Sequence, residues 1–102
     1  MPSQGRGRAN RGYMEIVYSI LEASTQGALR THIMFRCNLN SRQLQLYLQY
    51  LVEKGLLSRE RDPPSSKFEY KTTDLGRKYM QAYETLFELV GRRESTNLQV
   101  KA

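Results

Sequence analysis

The 102-residue chain has few of the features that mark secreted, membrane or disulfide-linked proteins. It has one cysteine, Cys37, so an internal disulfide is impossible and a reducing compartment is expected. No stretch approaches the ~18 consecutive apolar residues of a membrane helix, and the N-terminus lacks the apolar core of a signal peptide. We therefore predict one cytoplasmic domain with no membrane partner.

Acidic residues are missing from a long internal segment. The formal net charge is +6, with 16 Lys and Arg against 10 Asp and Glu. No carboxylate lies between Glu22 and Glu53, whereas Arg30, Arg36 and Arg42 fall there. A basic protein attracts nucleic acid or anionic membrane, and the sign of the charge alone does not choose between them. The segment nevertheless carries an uncompensated positive field.

Side chains suited to catalysis are also scarce. Cys37 and the single histidine, His32, are five residues apart on a short predicted helix, with Cys37 on its apolar side. A buried thiol is the favoured interpretation. A metal site needs more ligands, and Gly5 and Gly7 precede no strand-to-helix turn that would form a phosphate loop. The sequence predicts no enzyme, no metal and no cofactor.

The first third of the chain predicts an arm and two helices. Residues 1–12 hold Gly, Ser, Pro, Asn and arginines, which predict a disordered basic arm. Apolar residues at helical spacing predict a first helix over residues 12–24. Thr31 is the expected N-cap of a short second helix with Ile33, Met34 and Cys37 on one side.

A third helix follows within two or three residues, which is helix-turn-helix spacing. Asn40 and Gln43 can form a capping box at its start, and Gly55 marks its end. An apolar stripe at helical spacing should face the core. Its members are Leu44, Tyr47, Leu48, Leu51 and Val52.

The pattern after Gly55 predicts a β-hairpin. Pro63 and Pro64 suit its tip because proline cannot donate a ladder hydrogen bond. Phe68, Tyr70 and Thr72 alternate with charged residues, as in a half-buried strand. In the first strand Leu57, Arg59 and Arg61 share a parity, but the sequence leaves its register open.

The last predicted helix spans residues 74–91, with Thr73 and Asp74 at its start. Its apolar stripe is too wide for a helix that covers only one side of so small a core. Residues at 4-3-4 spacing predict the seam of a short coiled coil. With Phe87 they form the predicted homodimer interface: Tyr79, Tyr83, Leu86, Phe87 and Val90. Residues 92–102 predict a flexible tail.

Two runs, RTHIMFRCNLNSRQLQLYLQYLVEKGLL and FEYKTTDLGRKYMQAY, resemble a family of small archaeal winged-helix regulators and chromatin-associated DNA-binding proteins. The resemblance extends from Tyr13 to Val90. Its most specific parts are residues 31–39, the YLxxLxxKGLL phrase from Tyr47, and the Tyr70, Thr73, Gly76 series. It implies an α+β winged helix-turn-helix domain over 13–73, with three helices, a hairpin wing and dimerisation through the C-terminal helix. His32 stands where the family often has arginine.

Helix 3 carries the candidate base contacts. Arg42, Gln45 and Gln49 lie at i, i+3 and i+7, pointing away from the apolar stripe. Arginine pairs bidentately with guanine and glutamine with adenine, each pair discriminating by ~1–3 kcal/mol. A solvated helix face is the alternative interpretation. Ser41 and Gln43 are expected to touch phosphate or serve the cap.

Other segments supply candidate phosphate contacts. The start of helix 2 can hold a phosphate oxygen through its amide groups. Arg59 and Lys71 rank lower in the wing because Glu60, Asp62 and Glu69 are interleaved with the basic residues. The arm either follows the minor groove or only aids solubility. The candidates are Arg30, Thr31, His32 and Arg36 in helix 2, and Arg61 and Lys67 in the wing.

The favoured hypothesis is a nucleoid-associated homodimer that binds double-stranded DNA as a transcriptional regulator or chromatin protein. A winged helix that docks another protein is the alternative, suggested by apolar residues expected at the surface: Phe35, Leu46 and Tyr50. RNA binding ranks lower because no aromatic sheet platform is evident. No small-molecule ligand is evident.

Overall fold

The computed structural model describes residues 12–61 and 67–91. Except for Gly12, the predicted arm lies outside the described residues, as do the proline tip of the hairpin and the predicted tail over 92–102. Along the described part the chain forms a helix, a short strand, two helices, two strands and a final helix.

The first helix, α1, spans Tyr13–Ala23, within one residue of the prediction at each end. Its inner side buries Val17, Ile20 and Leu21 to 1% exposure or less. Burying one such side chain contributes about 1.5–3 kcal/mol, so α1 is a main support of the core. The other elements complete the core. Its most buried members beyond α1 are Ile33, Cys37, Leu44, Leu48, Leu51 and Leu57.

A two-residue strand, β1 (Ala28–Leu29), leads directly into α2 (Arg30–Cys37). The sequence did not predict β1, since two residues show no alternation. The predicted N-cap at Thr31 is wrong. Leu29 precedes the helix in an extended conformation because it pairs with Glu69, and no side chain caps α2.

The third helix, α3, spans Ser41–Glu53 and begins with the predicted capping box. The Gln43 N–H donates to Asn40 Oδ1 at 2.8 Å, and the Asn40 N–H donates to Gln43 Oε1 at 3.0 Å. The tight turn from α2 starts at Asn38 in the left-handed region, φ 56°, which asparagine tolerates better than most residues. The predicted helix-turn-helix spacing is confirmed.

The predicted hairpin consists of β2 (Leu57–Arg61) and β3 (Phe68–Thr72). β3 lies between β1 and β2 in an antiparallel sheet of order β1-β3-β2. Leu57 pairs with Thr72, and Arg61 with Phe68, which defines the register. The Thr72 N–H donates to the Ser24 carbonyl at 3.0 Å, and this bond fixes the base of the hairpin to the end of α1.

The final helix, α4, spans Asp74–Leu86, and Phe87–Gly91 continue it as a wider π-helical turn. Thr73 caps α4 by accepting from the Gly76 N–H at 3.1 Å. The Thr73 N–H donates to the Leu56 carbonyl at 3.1 Å. α4 therefore starts against the backbone that leaves α3.

Gly76 lies at the closest point of this contact. A Cβ there would be 2.4 Å from the Leu56 carbonyl oxygen and 2.6 Å from Thr72 Cγ2. We expect Gly76→Ala to destabilise the fold by about 2–3 kcal/mol, because the backbone must shift to admit the methyl group. Denaturant unfolding measures this loss. Gly12→Ala is the control, since nothing lies within 4 Å of its Cβ position. Equal stabilities of the two variants would contradict the prediction.

Tyrosines join α4 to α1. The Tyr18 hydroxyl donates to Glu84 Oε2 at 2.6 Å, and the Tyr18 and Tyr83 rings stack at 4.7 Å. The hydrogen bond to Glu84, with burial second, raises the pKa of Tyr18 to about 12, so the phenol remains a donor throughout the neutral range. The Tyr79 hydroxyl donates to the Met14 carbonyl at 3.4 Å. Two residues predicted for the dimer seam, Tyr79 and Tyr83, thus also pack within the chain.

Candidate nucleic-acid interface

The outer side of α3 presents polar side chains to solvent. Arg42, Gln45 and Gln49 are all exposed. They lie on the side of the helix away from Leu44 and Leu48, which are at most 2% exposed. The structure therefore places these three residues where the helical spacing predicted them.

A cleft of about 370 Å³ lies between α3 and the hairpin. Gln45 and Gln49 of α3 line it together with Arg59 of β2 and Tyr70 of β3. Glu53, at the C-terminal end of α3, also lines it. Two of the predicted base-contacting side chains thus share one surface with a wing arginine.

A second depression, a notch of about 300 Å³, lies between the start of α2 and β3. Arg30, Thr31 and Lys67 line it with Phe68 and Tyr70. Predicted phosphate contacts from two distant parts of the chain are therefore close together. Tyr70 borders both the notch and the cleft, so the two depressions adjoin across β3.

The two faces of the wing differ in charge. Arg59 and Arg61 lie over the Phe68 ring, with Cζ atoms 4.6 and 4.9 Å from its centroid. Glu60 and Glu69 pair directly across the strands, and strand alternation puts them on the opposite face. Within residues 12–61 and 67–91 neither arginine forms an ion pair with these carboxylates. Asp62, the third acid considered, lies outside the described residues.

The other predicted DNA contacts either form hydrogen bonds within the domain or lie away from the cleft and the notch. Arg30 Nη2 donates to both the carbonyl oxygen and Oγ of Ser41, each at 2.9 Å, and so ties α2 to the start of α3. The Gln43 side chain belongs to the capping box. His32 and Arg36 are exposed on α2 and line neither the cleft nor the notch.

Sequence reasoning ranked Arg59 low and did not consider Phe68 as part of a site. The usable signal was the shared parity of Leu57, Arg59 and Arg61. Residues two apart in a strand lie on the same face. Once Leu57 is known to pair with Thr72, both arginines therefore lie on the face of Phe68, and Glu60 lies on the opposite face. The sequence did not supply that register.

The donor set suits anion and base-edge recognition. Guanidinium groups and amides bind phosphate oxygens and the edges of bases. Among residues 12–61 and 67–91, no three His, Cys, Asp or Glu side chains are grouped to hold a metal ion. Within the same residues no helix is long and apolar enough to cross a membrane.

Comparison with known proteins identifies the family to which this fold belongs. A family model described as winged helix-turn-helix matches residues 10–91. The chain belongs to this family. This winged-helix protein is 29% identical over 87 residues to an uncharacterised protein of Methanocaldococcus jannaschii, a match that covers 84% of each chain.

Solved structures share the fold. Sso10a-2, a DNA-binding protein from Sulfolobus solfataricus, matches with a TM-score of 0.78 and 24% identity over 89% of this chain and 94% of its own. The transcriptional regulator BldR, also from Sulfolobus solfataricus, matches at 0.68 and 22% over 91% and 70%. MepR of S. aureus, in complex with DNA, matches at 0.67 and 16% over 97% and 88%. The predicted winged-helix fold class and the resemblance to archaeal members are confirmed.

Proposed function

We propose that this winged-helix protein binds double-stranded DNA as a homodimer, with α3 in the major groove and the wing on the flanking backbone. The carrying observation is the joint position of Gln45, Gln49 and Arg59 around one cleft. The reading side of α3 and the basic face of the wing therefore address the same ligand surface. The similar structures support the proposal, since Sso10a-2 is a DNA-binding protein and MepR is seen with DNA.

Each part of the surface has a distinct role in this proposal. Arg42, Gln45 and Gln49 meet base edges, because the N-terminal, outward residues of a recognition helix enter the groove. Lys67 and the start of α2 hold phosphates, which set the position of the protein but carry no sequence information. Arg30 acts partly through Ser41, since their hydrogen bonds orient the start of α3.

The homodimer rests on the apolar surface at the end of α4. Leu86 is 47% exposed, and Phe87 and Val90 in the π-helical turn are 62% and 49% exposed. A cluster of exposed large side chains on one helix is typical of an interaction site. Joining two protomers there gives two recognition helices, and the dimer geometry then sets the spacing of the half-sites. We propose a role as a transcriptional regulator or chromatin-associated protein.

Fluorescence anisotropy across a salt series tests DNA binding. A random duplex pool and a duplex obtained by site selection are compared. We expect affinity for both to fall steeply with salt, because phosphate contacts release counterions. A selected site bound ~10³-fold more tightly or better identifies an operator-binding regulator. Equal affinities favour a chromatin protein, and no binding to either duplex at low salt would contradict the proposal.

Docking to another protein is the second candidate function. Phe35 is 81% exposed on α2, and Leu46 is 62% exposed on α3. These side chains favour a partner with an apolar surface. A stable protein complex without duplex binding is the result that would select this candidate.

A further inference from the structure

The face of the wing that carries Arg59 places two arginines over one aromatic ring. Two guanidinium groups, those of Arg59 and Arg61, share the single ring of Phe68 within 5 Å of its centroid. Stacking on an aromatic face restricts an arginine side chain while leaving its N–H fork free to bind an oxyanion. The geometry therefore orders two cations and keeps their donors available.

The arrangement brings like charges together, and no carboxylate among residues 12–61 and 67–91 forms an ion pair with either arginine. Glu60 and Glu69 occupy the opposite face of the hairpin, and Glu53 lines the cleft with Arg59 but makes no ion pair with it. Neighbouring cations repel each other unless an anion lies between them. Planar guanidinium groups match the oxygens of a phosphate. The pair is thus suited to a polyanion with closely spaced phosphates.

The Phe68 ring and the arginines over it lie beside both depressions of the candidate interface. Arg59 borders the cleft together with Gln45 and Gln49, whereas Phe68 borders the notch with Arg30 and Lys67. Phe68 is 36% exposed and lies outside the buried core, so the fold does not depend on it for its interior packing.

We infer that Phe68 is a positioning residue, which holds Arg59 and Arg61 in place to bind the DNA backbone beside the groove that α3 enters. This inference rests on the proposed function and adds two assignments to it. Arg59 is a phosphate contact equal in rank to Arg61. The Phe68 ring holds both arginine side chains in position without contacting DNA itself.

A double-mutant cycle separates positioning from direct contact. Binding to a random duplex is measured for Phe68→Leu, both alone and in an Arg59→Met/Arg61→Met background. We expect roughly fivefold weaker binding for Phe68→Leu alone, because two cation–π contacts are lost. In the background without arginines the same change should have less than about a twofold effect, because nothing remains to be positioned. Removing the two arginines should reduce the salt slope by about 1.8 per bound protomer, which is about 3.6 for a dimer with both wings on the duplex.

Phe68→Tyr is the matched control. It keeps the ring and should bind within about twofold of the unchanged protein. Thermal melting checks that each variant folds. Equal losses in both backgrounds would mean that Phe68 touches DNA itself, and full binding by Phe68→Leu would mean that the ring does nothing; either result overturns the inference.

NMR of the free protein provides a readout that does not require DNA. Ring currents should shift the side-chain protons of Arg59 and Arg61, and the shifts should vanish in Phe68→Leu but persist in Phe68→Tyr. If neither the wild-type protein nor any variant binds a duplex, both the proposed function and the assignment of phosphate as the ligand are wrong. If the wild-type protein binds a duplex but shows no ring-current shifts at Arg59 and Arg61, only the positioning role of Phe68 is wrong.

Discussion

Replacing Arg42 with alanine is expected to weaken binding to a selected duplex at least tenfold and to leave binding to random duplex within about threefold. One bidentate arginine–guanine pair discriminates by ~1–3 kcal/mol, and a dimer loses two such pairs. Arg42 is the side chain best placed for this, since it is exposed in the first turn of α3. Anisotropy titrations on both duplexes, with the sequence preference remeasured by site selection, give the result.

The control for Arg42→Ala removes a positive charge elsewhere. Lys78 is exposed on α4, away from the cleft and the notch. Lys78→Ala should change neither affinity nor preference by more than about twofold, since a distant exposed charge is largely screened. If Arg42→Ala behaves like this control, α3 is not the reading helix. A uniform loss on all duplexes would instead make Arg42 a phosphate contact.

Local signals predicted most of the helical part of this fold. The capping box at Asn40 and Gln43 and the stop at Gly55 are short-range features, and they marked both ends of α3 correctly. The side of α3 left for a ligand followed from the same periodicity. Such features were readable because each depends on residues a few positions apart.

Features that depend on distant pairing were not predictable. β1 exists because Ala28 meets Tyr70, and its two residues carry no pattern of their own. With that strand in place, the N-cap position of α2 is Leu29, two residues before the predicted Thr31. The wing register likewise depended on long-range packing, and without it the arginines could not be assigned to the face of Phe68. The cleft and the notch are products of this sheet.

A charged substitution at Leu86 is expected to convert the protein to a monomer. The predicted seam assumed regular α-helical geometry as far as Val90, but the π-helical turn begins at Phe87. Tyr79 and Tyr83 also pack on α1. Leu86 is therefore the sharpest test of the proposed interface, because it is exposed and ends the regular helix. Burying an unpaired carboxylate there would cost about 3–5 kcal/mol, enough to raise the dimer dissociation constant more than about 100-fold.

Sedimentation equilibrium at micromolar concentration compares Leu86→Glu with Thr85→Glu. The second variant adds the same charge one residue earlier, at an exposed position outside the predicted seam, and should remain dimeric. DNA binding should follow assembly. Two linked recognition helices gain from effective concentration, so the monomer should bind a two-half-site duplex at least ~10²-fold more weakly, although each α3 is intact. A monomeric unchanged protein, or a dimeric Leu86→Glu, would exclude this interface. Tight operator binding by the monomer would show that one α3 with its wing is sufficient for affinity. The wing arginines would then supply the binding free energy that we attribute to the second half-site.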